Sequence, residues 1–111
     1  MAADLGKSST GIQPNVAALL SYVLGWITGL VFYLIEKENK FVRFHAFQSI
    51  VVFGGFTVLT IVLTLIPVVG WMLLPVAYIG ELVLWVVLLI KAYQGEKFKL
   101  PVAGDMAEKN A

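Results

Sequence analysis

Charged side chains are almost absent from the middle of this chain, and that absence restricts the possible folds most. Between residues 16 and 90 they occur only in the segment from Glu36 to Arg43 and at the single position Glu81. The chain has 111 residues, of which 59% are hydrophobic and 14% charged. A soluble domain this small could not bury so much apolar surface, because small domains bury the smallest fraction of their area. The sequence therefore predicts an integral membrane protein.

The apolar runs predict an all-α membrane protein with three transmembrane helices. Each run is about 20 residues long, which matches the thickness of the hydrocarbon core. The turn from Pro67 to Gly70 is so short that helices two and three must form a tight antiparallel hairpin. Asn15 is a suitable N-cap for the first helix. The predicted parts are a flexible N-terminal tail at 1–15, a transmembrane domain at 16–93 with helices at about 16–35, 44–66 and 72–93, and a polar C-terminal tail at 94–111.

Small residues recur at every fourth position of the first predicted helix. They are Ala17, Ser21, Gly25 and Gly29, and the last two form a GxxxG pattern. Such a stripe lets helix backbones approach closely in lipid, where no hydrophobic effect drives association. It predicts a helix-packing face, used either inside the monomer or between copies.

The distribution of lysine and arginine predicts the orientation. With three spans, the first loop and the C-terminal side carry seven basic residues and the N-terminal tail carries only Lys7. Basic residues stay on the cytoplasmic side. We therefore expect a multi-pass protein of the cytoplasmic membrane, with its N-terminus outside and its C-terminus inside.

A polar patch opens the second predicted helix. His45, Gln48 and Ser49 are three or four residues apart and share one helix face, and Arg43 precedes them. One interpretation is a surface that binds a partner, lipid headgroups or a translocated segment. The other, which we favour, is a structural knot that ties the helix ends together. In that case the expected partners are Glu36, Tyr33 or Gln94.

Glu81 is the one acidic residue inside a predicted span. Such groups are costly in lipid and face the bundle interior or water. Thr57 and Tyr78 would lie at its level, with Thr28 and Tyr22 as further possible partners. It is either a neutral carboxyl hydrogen-bonded between helices or part of a proton or ion pathway.

Catalysis and cofactors have no support in the sequence. A single histidine is a poor metal site, and the absence of cysteine excludes thiolate chemistry and disulfides. No nucleophile, base and orienting residue converge. The net charge of +1 favours no nucleic-acid partner. We expect a protein that is not an enzyme, holds no metal or cofactor, and interacts with the bilayer and with further copies of itself or another membrane protein.

The segment from Lys37 to Ser49, KENKFVRFHAFQS, resembles the signature of the Tic-twenty-like family of small membrane proteins. Two flanking patterns, A-x-x-S-Y-x-x-G from Ala18 and G-E-x-F-x-L-P from Gly95, also resemble that family. The resemblance covers residues 15–101 and implies a prokaryotic protein with three spans, with His45 and Gln48 at motif positions. Relatives of that family include a plastid inner-envelope import component, which has a fourth span, and magnetosome-membrane proteins.

Two functions remain open from the sequence. The first is a non-enzymatic membrane scaffold or accessory subunit that acts through the cytoplasmic polar patch. The alternative is a transport or protein-translocation component whose oligomer lines a conduit with Glu81.

Overall fold

The computed structural model describes residues 6–111, and every regular element in that part of the chain is a helix. The prediction of an all-α protein is confirmed. The predicted tail at 1–15 lies partly outside the described residues. The five helices are α1 (Pro14–Val23), α2 (Trp26–Ile35), α3 (Lys40–Leu65), α4 (Val69–Tyr93) and α5 (Ala103–Asn110).

The single helix predicted over residues 16–35 is wrong, because the chain reverses direction at Leu24 and Gly25. Gly25 has φ of +63° and ψ of −134°, a conformation that is essentially restricted to glycine. α1 and α2 then run antiparallel, since Thr28 Oγ donates to the carbonyl oxygen of Ser21 at 3.2 Å. Each helix has 10 residues and is about 15 Å long, about half the thickness of a bilayer core. The two helices form a hairpin in which neither helix is long enough to span a bilayer, and we call it the re-entrant hairpin.

Both ends of this hairpin lie at the same end of the molecule. The backbone N–H of Ser9 donates to the Glu36 carboxylate at 2.8 and 3.0 Å, and Asn39 Nδ2 donates to the Lys7 carbonyl oxygen at 3.1 Å. Asn15 lies inside α1 rather than at its cap, and its Nδ2 donates to the Tyr93 carbonyl oxygen at 3.1 Å. These contacts contradict the prediction that the N-terminal tail and the first loop lie on opposite sides.

α3 and α4 form the predicted antiparallel hairpin, with somewhat different bounds. α3 begins at Lys40, four residues earlier than predicted, because the Asn39 side chain caps it by accepting from the Val42 N–H at 3.0 Å. α4 begins at Val69, three residues earlier than predicted, and Pro75 lies inside it. Within the described residues these two helices alone are long and apolar enough to cross a membrane. Their lengths of 26 and 25 residues correspond to about 39 and 37 Å.

The predicted C-terminal tail contains an extended segment followed by α5. Among the described helices, α5 packs mainly against α3. It ends beside α2, where the Tyr33 hydroxyl donates to the Asn110 carbonyl oxygen at 2.6 Å. The tail therefore returns to the end of the molecule that holds the first loop.

The packed core occupies only one half of the molecule. α3 is the central helix and contacts all four others. Buried side chains from α1, α3 and α4 surround Tyr22, and a second cluster forms around Phe32 and Val42. In α4 the buried residues are Gly70, Leu88 and Ala92, so none of those between 71 and 87 is buried. The other half is the bare α3–α4 hairpin.

Candidate functional site

A chain of hydrogen bonds links three fully buried side chains, Tyr22, His45 and Gln48, which we call the polar knot. The Tyr22 hydroxyl lies 2.6 Å from His45 Nδ1 and 3.1 Å from Gln48 Nε2. The spacing of three residues in α3 places the imidazole and the amide on one face. Tyr22 reaches both from α1.

The backbone groups at the ends of the knot and the burial of His45 fix the direction of every hydrogen bond. A carbonyl oxygen can only accept, so His45 Nε2–H donates to the Glu96 carbonyl oxygen at 2.8 Å. His45 is fully buried, where a charged imidazolium would be costly, so the ring is neutral and its Nδ1 accepts from the Tyr22 hydroxyl. That hydroxyl oxygen in turn accepts from Gln48 Nε2. Each member of the knot is therefore paired.

The same side chains hold the extended C-terminal segment at residues 96–100, which we call the strap. Besides the bond from His45 to Glu96, Gln48 Nε2 donates to the Phe98 carbonyl oxygen at 2.9 Å. Gln48 Oε1 accepts from the Leu100 N–H at 3.0 Å. An unpaired buried backbone group costs about as much as a lost hydrogen bond. The knot therefore allows a non-helical segment to cover the core.

Arg43 and Glu36 organise the first loop. Arg43 Nη1 donates to the carbonyl oxygens of Tyr33 and Glu36 at 2.9 and 2.7 Å, and its guanidinium lies 4.1 Å above the Tyr33 ring. Burial raises the pKa of the Glu36 carboxyl, but the hydrogen bonds from Ser9 and from the N–H groups of Asn39 and Glu38 outweigh it. They hold that pKa below its ordinary value.

Ser49 satisfies the backbone at the tip of the re-entrant hairpin. Its hydroxyl donates to the Gly25 carbonyl oxygen at 2.8 Å, and Trp85 Nε1 donates to the Tyr22 carbonyl oxygen at 2.7 Å. The Leu24 N–H donates to Thr28 Oγ at 3.1 Å. Non-helical backbone at membrane depth is tolerated only where such partners are supplied. α3 and α4 thus complete the turn that α1 and α2 cannot complete alone.

The small-residue positions pack inside the monomer, although they do not form one continuous stripe. Ala17 and Ser21 are buried in α1, whereas Gly25 forms the turn. Gly29 is buried in α2 against α3, where a Cβ would lie 2.9 Å from both the Ser49 Cβ and the Ala46 carbonyl oxygen. Close approach of α2 to α3 therefore requires glycine at this position.

Glu81 lies apart from the knot, at the centre of α4. It lines a cavity of about 400 Å³, is half-buried, and makes no hydrogen bond or ion pair within the described part of the chain. Thr57 and Tyr78 line the same cavity, as expected. Thr28 and Tyr22 do not line it, because Thr28 is hydrogen-bonded at the hairpin tip and Tyr22 is hydrogen-bonded in the knot. The cavity wall is completed by Val23, Leu24, Gly25, Trp26, Phe53, Leu82 and Trp85.

The structure places the residues of the predicted polar patch together but turns them inward. His45, Gln48 and Ser49 are buried and bonded internally. Of the expected partners, Glu36 and Tyr33 bind Arg43 through their carbonyl oxygens, and Gln94 takes no part. Sequence reasoning missed two other groups, the Tyr22 hydroxyl and the backbone of the strap. Both lie in the flanking patterns that resemble the Tic-twenty-like family, so those patterns were the sequence signal that could have identified them.

Among residues 6–111 no three His, Asp or Glu side chains are grouped so that they could hold a metal ion. A non-enzymatic role stays a prediction.

Comparison with known proteins places this architecture in a family. A family model described as the magnetosome magnetite crystal formation protein family matches residues 11–107. The chain belongs to this family. It is 53% identical over 105 residues to a UPF0132 membrane protein of Methanocaldococcus jannaschii, covering 95% of this chain and 94% of that protein. It is 51% identical over 98 residues to a UPF0132 membrane protein of Archaeoglobus fulgidus, covering 88% and 95%.

The prediction of a small membrane protein is confirmed by these relatives and by the two long apolar helices. No solved structure matches the chain. The link to the Tic-twenty-like family stays a prediction from the sequence motif.

Proposed function

We propose that this protein is a non-enzymatic membrane scaffold whose bare α3–α4 hairpin associates with a second copy in the bilayer. The supporting observation is the uneven packing. One half is locked by the knot, the strap and the re-entrant hairpin, while the other half leaves α3 and α4 uncovered. The polar patch is occupied internally, so the association surface lies on the apolar faces instead.

The contact surface we propose is an apolar groove of about 510 Å³ between α3, α4 and the C-terminal segment at residues 100–103. Gly55, Phe56 and Leu84 line it. A Cβ at Gly55 would have nothing within 4 Å, and the same holds for Gly80, which lies one turn before Leu84 on the same face of α4. Small residues that face outwards let a neighbouring helix approach closely in lipid, which supports a helix of a second copy as the occupant.

A cysteine crosslinking experiment tests this proposal, since the chain has no cysteine of its own. Copies inserted in one orientation meet about a two-fold axis, so a residue in the interface lies near its own counterpart. Gly55→Cys is therefore expected to form crosslinked dimers in native membranes. Ile61→Cys is the control, because this residue is exposed but lies about 120° away around α3. Equal crosslinking at both positions, or none at Gly55→Cys, would contradict the proposal.

We further propose that both chain ends and the first loop lie in the cytoplasm. All eight lysine and arginine residues belong to segments at the knot end, and the turn at residues 66–68 has none. With three spans, seven basic residues lie on one side and Lys7 on the other, whereas here all eight lie on one side. The charge distribution therefore supports a cytoplasmic knot end more strongly in this arrangement. In intact cells, an impermeant thiol reagent should label Val68→Cys but neither Lys7→Cys nor Glu38→Cys. Labelling of Lys7→Cys alone would instead support the three-span arrangement.

A transport component remains a second candidate, supported by the cavity that holds Glu81. In that case proteoliposomes should show a cation flux that Glu81→Gln reduces. Flux equal to that of empty vesicles would exclude this candidate.

A further inference from the structure

The cavity beside Glu81 follows from the way the re-entrant hairpin enters the bundle. α1 contacts both α3 and α4 and ends at Val23. Beyond that point α3 and α4 approach each other again, and Gly70 of α4 packs against Leu63 of α3. The cavity of about 400 Å³ lies beside the hairpin tip between α3 and α4, and it is open where Thr57 and Tyr78 are exposed.

Glu81 lies at the middle of a candidate span. It is 12 residues from each end of α4, which is about 18 Å. An isolated carboxylate at that depth is costly unless a positive charge or a proton accompanies it. No lysine or arginine is available, because all of them lie at the knot end of the molecule.

Groups with neutral oxygen atoms line the same cavity as Glu81. Thr57 Oγ donates its proton to the Phe53 carbonyl oxygen at 2.8 Å, so its lone pairs remain available. Tyr78 supplies a second hydroxyl group in the cavity lining. Val23, the last residue of α1, also lines the cavity, and no hydrogen bond to its carbonyl oxygen is found among residues 6–111. The carbonyl ends of broken helices are typical cation ligands in membrane proteins.

The charge of the cavity restricts the ion. One carboxylate neutralises one positive charge, whereas a divalent ion would leave an excess charge in a medium of low dielectric constant. The described residues also offer no group of three metal-binding side chains. Carboxylate, hydroxyl and carbonyl oxygens are hard ligands, and in transporters unwound backbone carbonyls coordinate sodium ions near the middle of the bilayer.

We propose that this cavity binds one small monovalent cation, with Glu81 as the charged ligand and Thr57, Tyr78 and the Val23 carbonyl as neutral ligands. Binding does not depend on self-association or on flux, so the site can exist even if both proposals above fail.

Thermal unfolding of the detergent-solubilised protein tests the site. The midpoint is measured at constant ionic strength in sodium, lithium, potassium or choline chloride. We expect at least one alkali ion to raise the midpoint above its value in choline, because a ligand that binds only the folded state stabilises it. Glu81→Gln should abolish that shift. Glu38→Gln, which removes an exposed carboxylate of the first loop, should retain it.

Two further measurements keep the test independent of the folding of one variant. Glu81→Asp keeps the charge and should bind more weakly but detectably. Equilibrium binding of radioactive sodium to the unmodified protein should saturate at one ion per chain and be displaced by an alkali ion but not by choline. Equal midpoints in all four salts together with no saturable tracer binding, a shift that survives in Glu81→Gln, or stabilisation by magnesium alone would each overturn the proposal.

Discussion

Replacement of Gly25 by alanine distinguishes a re-entrant hairpin from a continuous first helix, because the two arrangements predict opposite signs. In a continuous helix, alanine should stabilise the protein by about 0.5–1 kcal/mol, since glycine loses more backbone entropy on folding. In the hairpin, Gly25 has φ of +63° and ψ of −134°. A residue with a side chain is strained there by about 1–3 kcal/mol.

The surroundings of Gly25 increase this cost. A Cβ would lie 3.3 Å from the Phe53 Cβ, and Phe53 is buried in the core and cannot easily move. A rotation that relieved the strain would also disturb the hydrogen bond from Ser49 to the Gly25 carbonyl oxygen. We therefore expect Gly25→Ala to lower the free energy of unfolding by about 1–3 kcal/mol.

Unfolding of the purified protein in mixed micelles, followed by tryptophan fluorescence, measures the difference. Gly54→Ala is the matched control, because Gly54 lies inside α3 and a Cβ added there would meet only the Trp26 Cβ, at the ordinary contact distance of 4.0 Å. That control should be neutral or slightly stabilising. If Gly25→Ala is as stable as Gly54→Ala, the reversal at Gly25 is incorrect and a third span is restored.

Three other substitutions test the packed half. Gln48→Leu should destabilise the protein by about 1–3 kcal/mol for each buried group left unpaired. It should also speed tryptic cleavage after Lys97 in the strap, and unchanged cleavage would contradict the role of Gln48. Gly29→Ala should cost about 1–3 kcal/mol through overpacking against α3, and a neutral effect would show that α2 packs more loosely. The folded-state pKa of Glu36 lies below its ordinary value. At a pH above the unfolded-state pKa, the ionised carboxylate therefore stabilises the folded protein. This stabilisation is lost as the pH falls through the folded-state pKa. Glu36→Gln should therefore lower stability at neutral pH and flatten the acid limb of the pH–stability curve, and an unchanged acid limb would refute this assignment.

Much of the site could be predicted from local patterns. The spacing of His45, Gln48 and Ser49 placed them on one helix face, and Glu81 stood out as a charge within an apolar run. Their partners could not be predicted in the same way. Tyr22 is 23 residues from His45, and the strap is bound through backbone atoms that no side-chain pattern identifies.

By itself the sequence determined that the chain is helical and belongs in a membrane, because composition and the length of apolar runs depend on no contact between distant residues. The tertiary structure alone decided the path of residues 14–35. An apolar stretch of that length fits one span or two half-helices equally well by hydropathy, and a glycine is compatible with both. The choice is made by Ser49 and Trp85, whose hydrogen bonds satisfy the turn at Gly25 and Tyr22 at membrane depth.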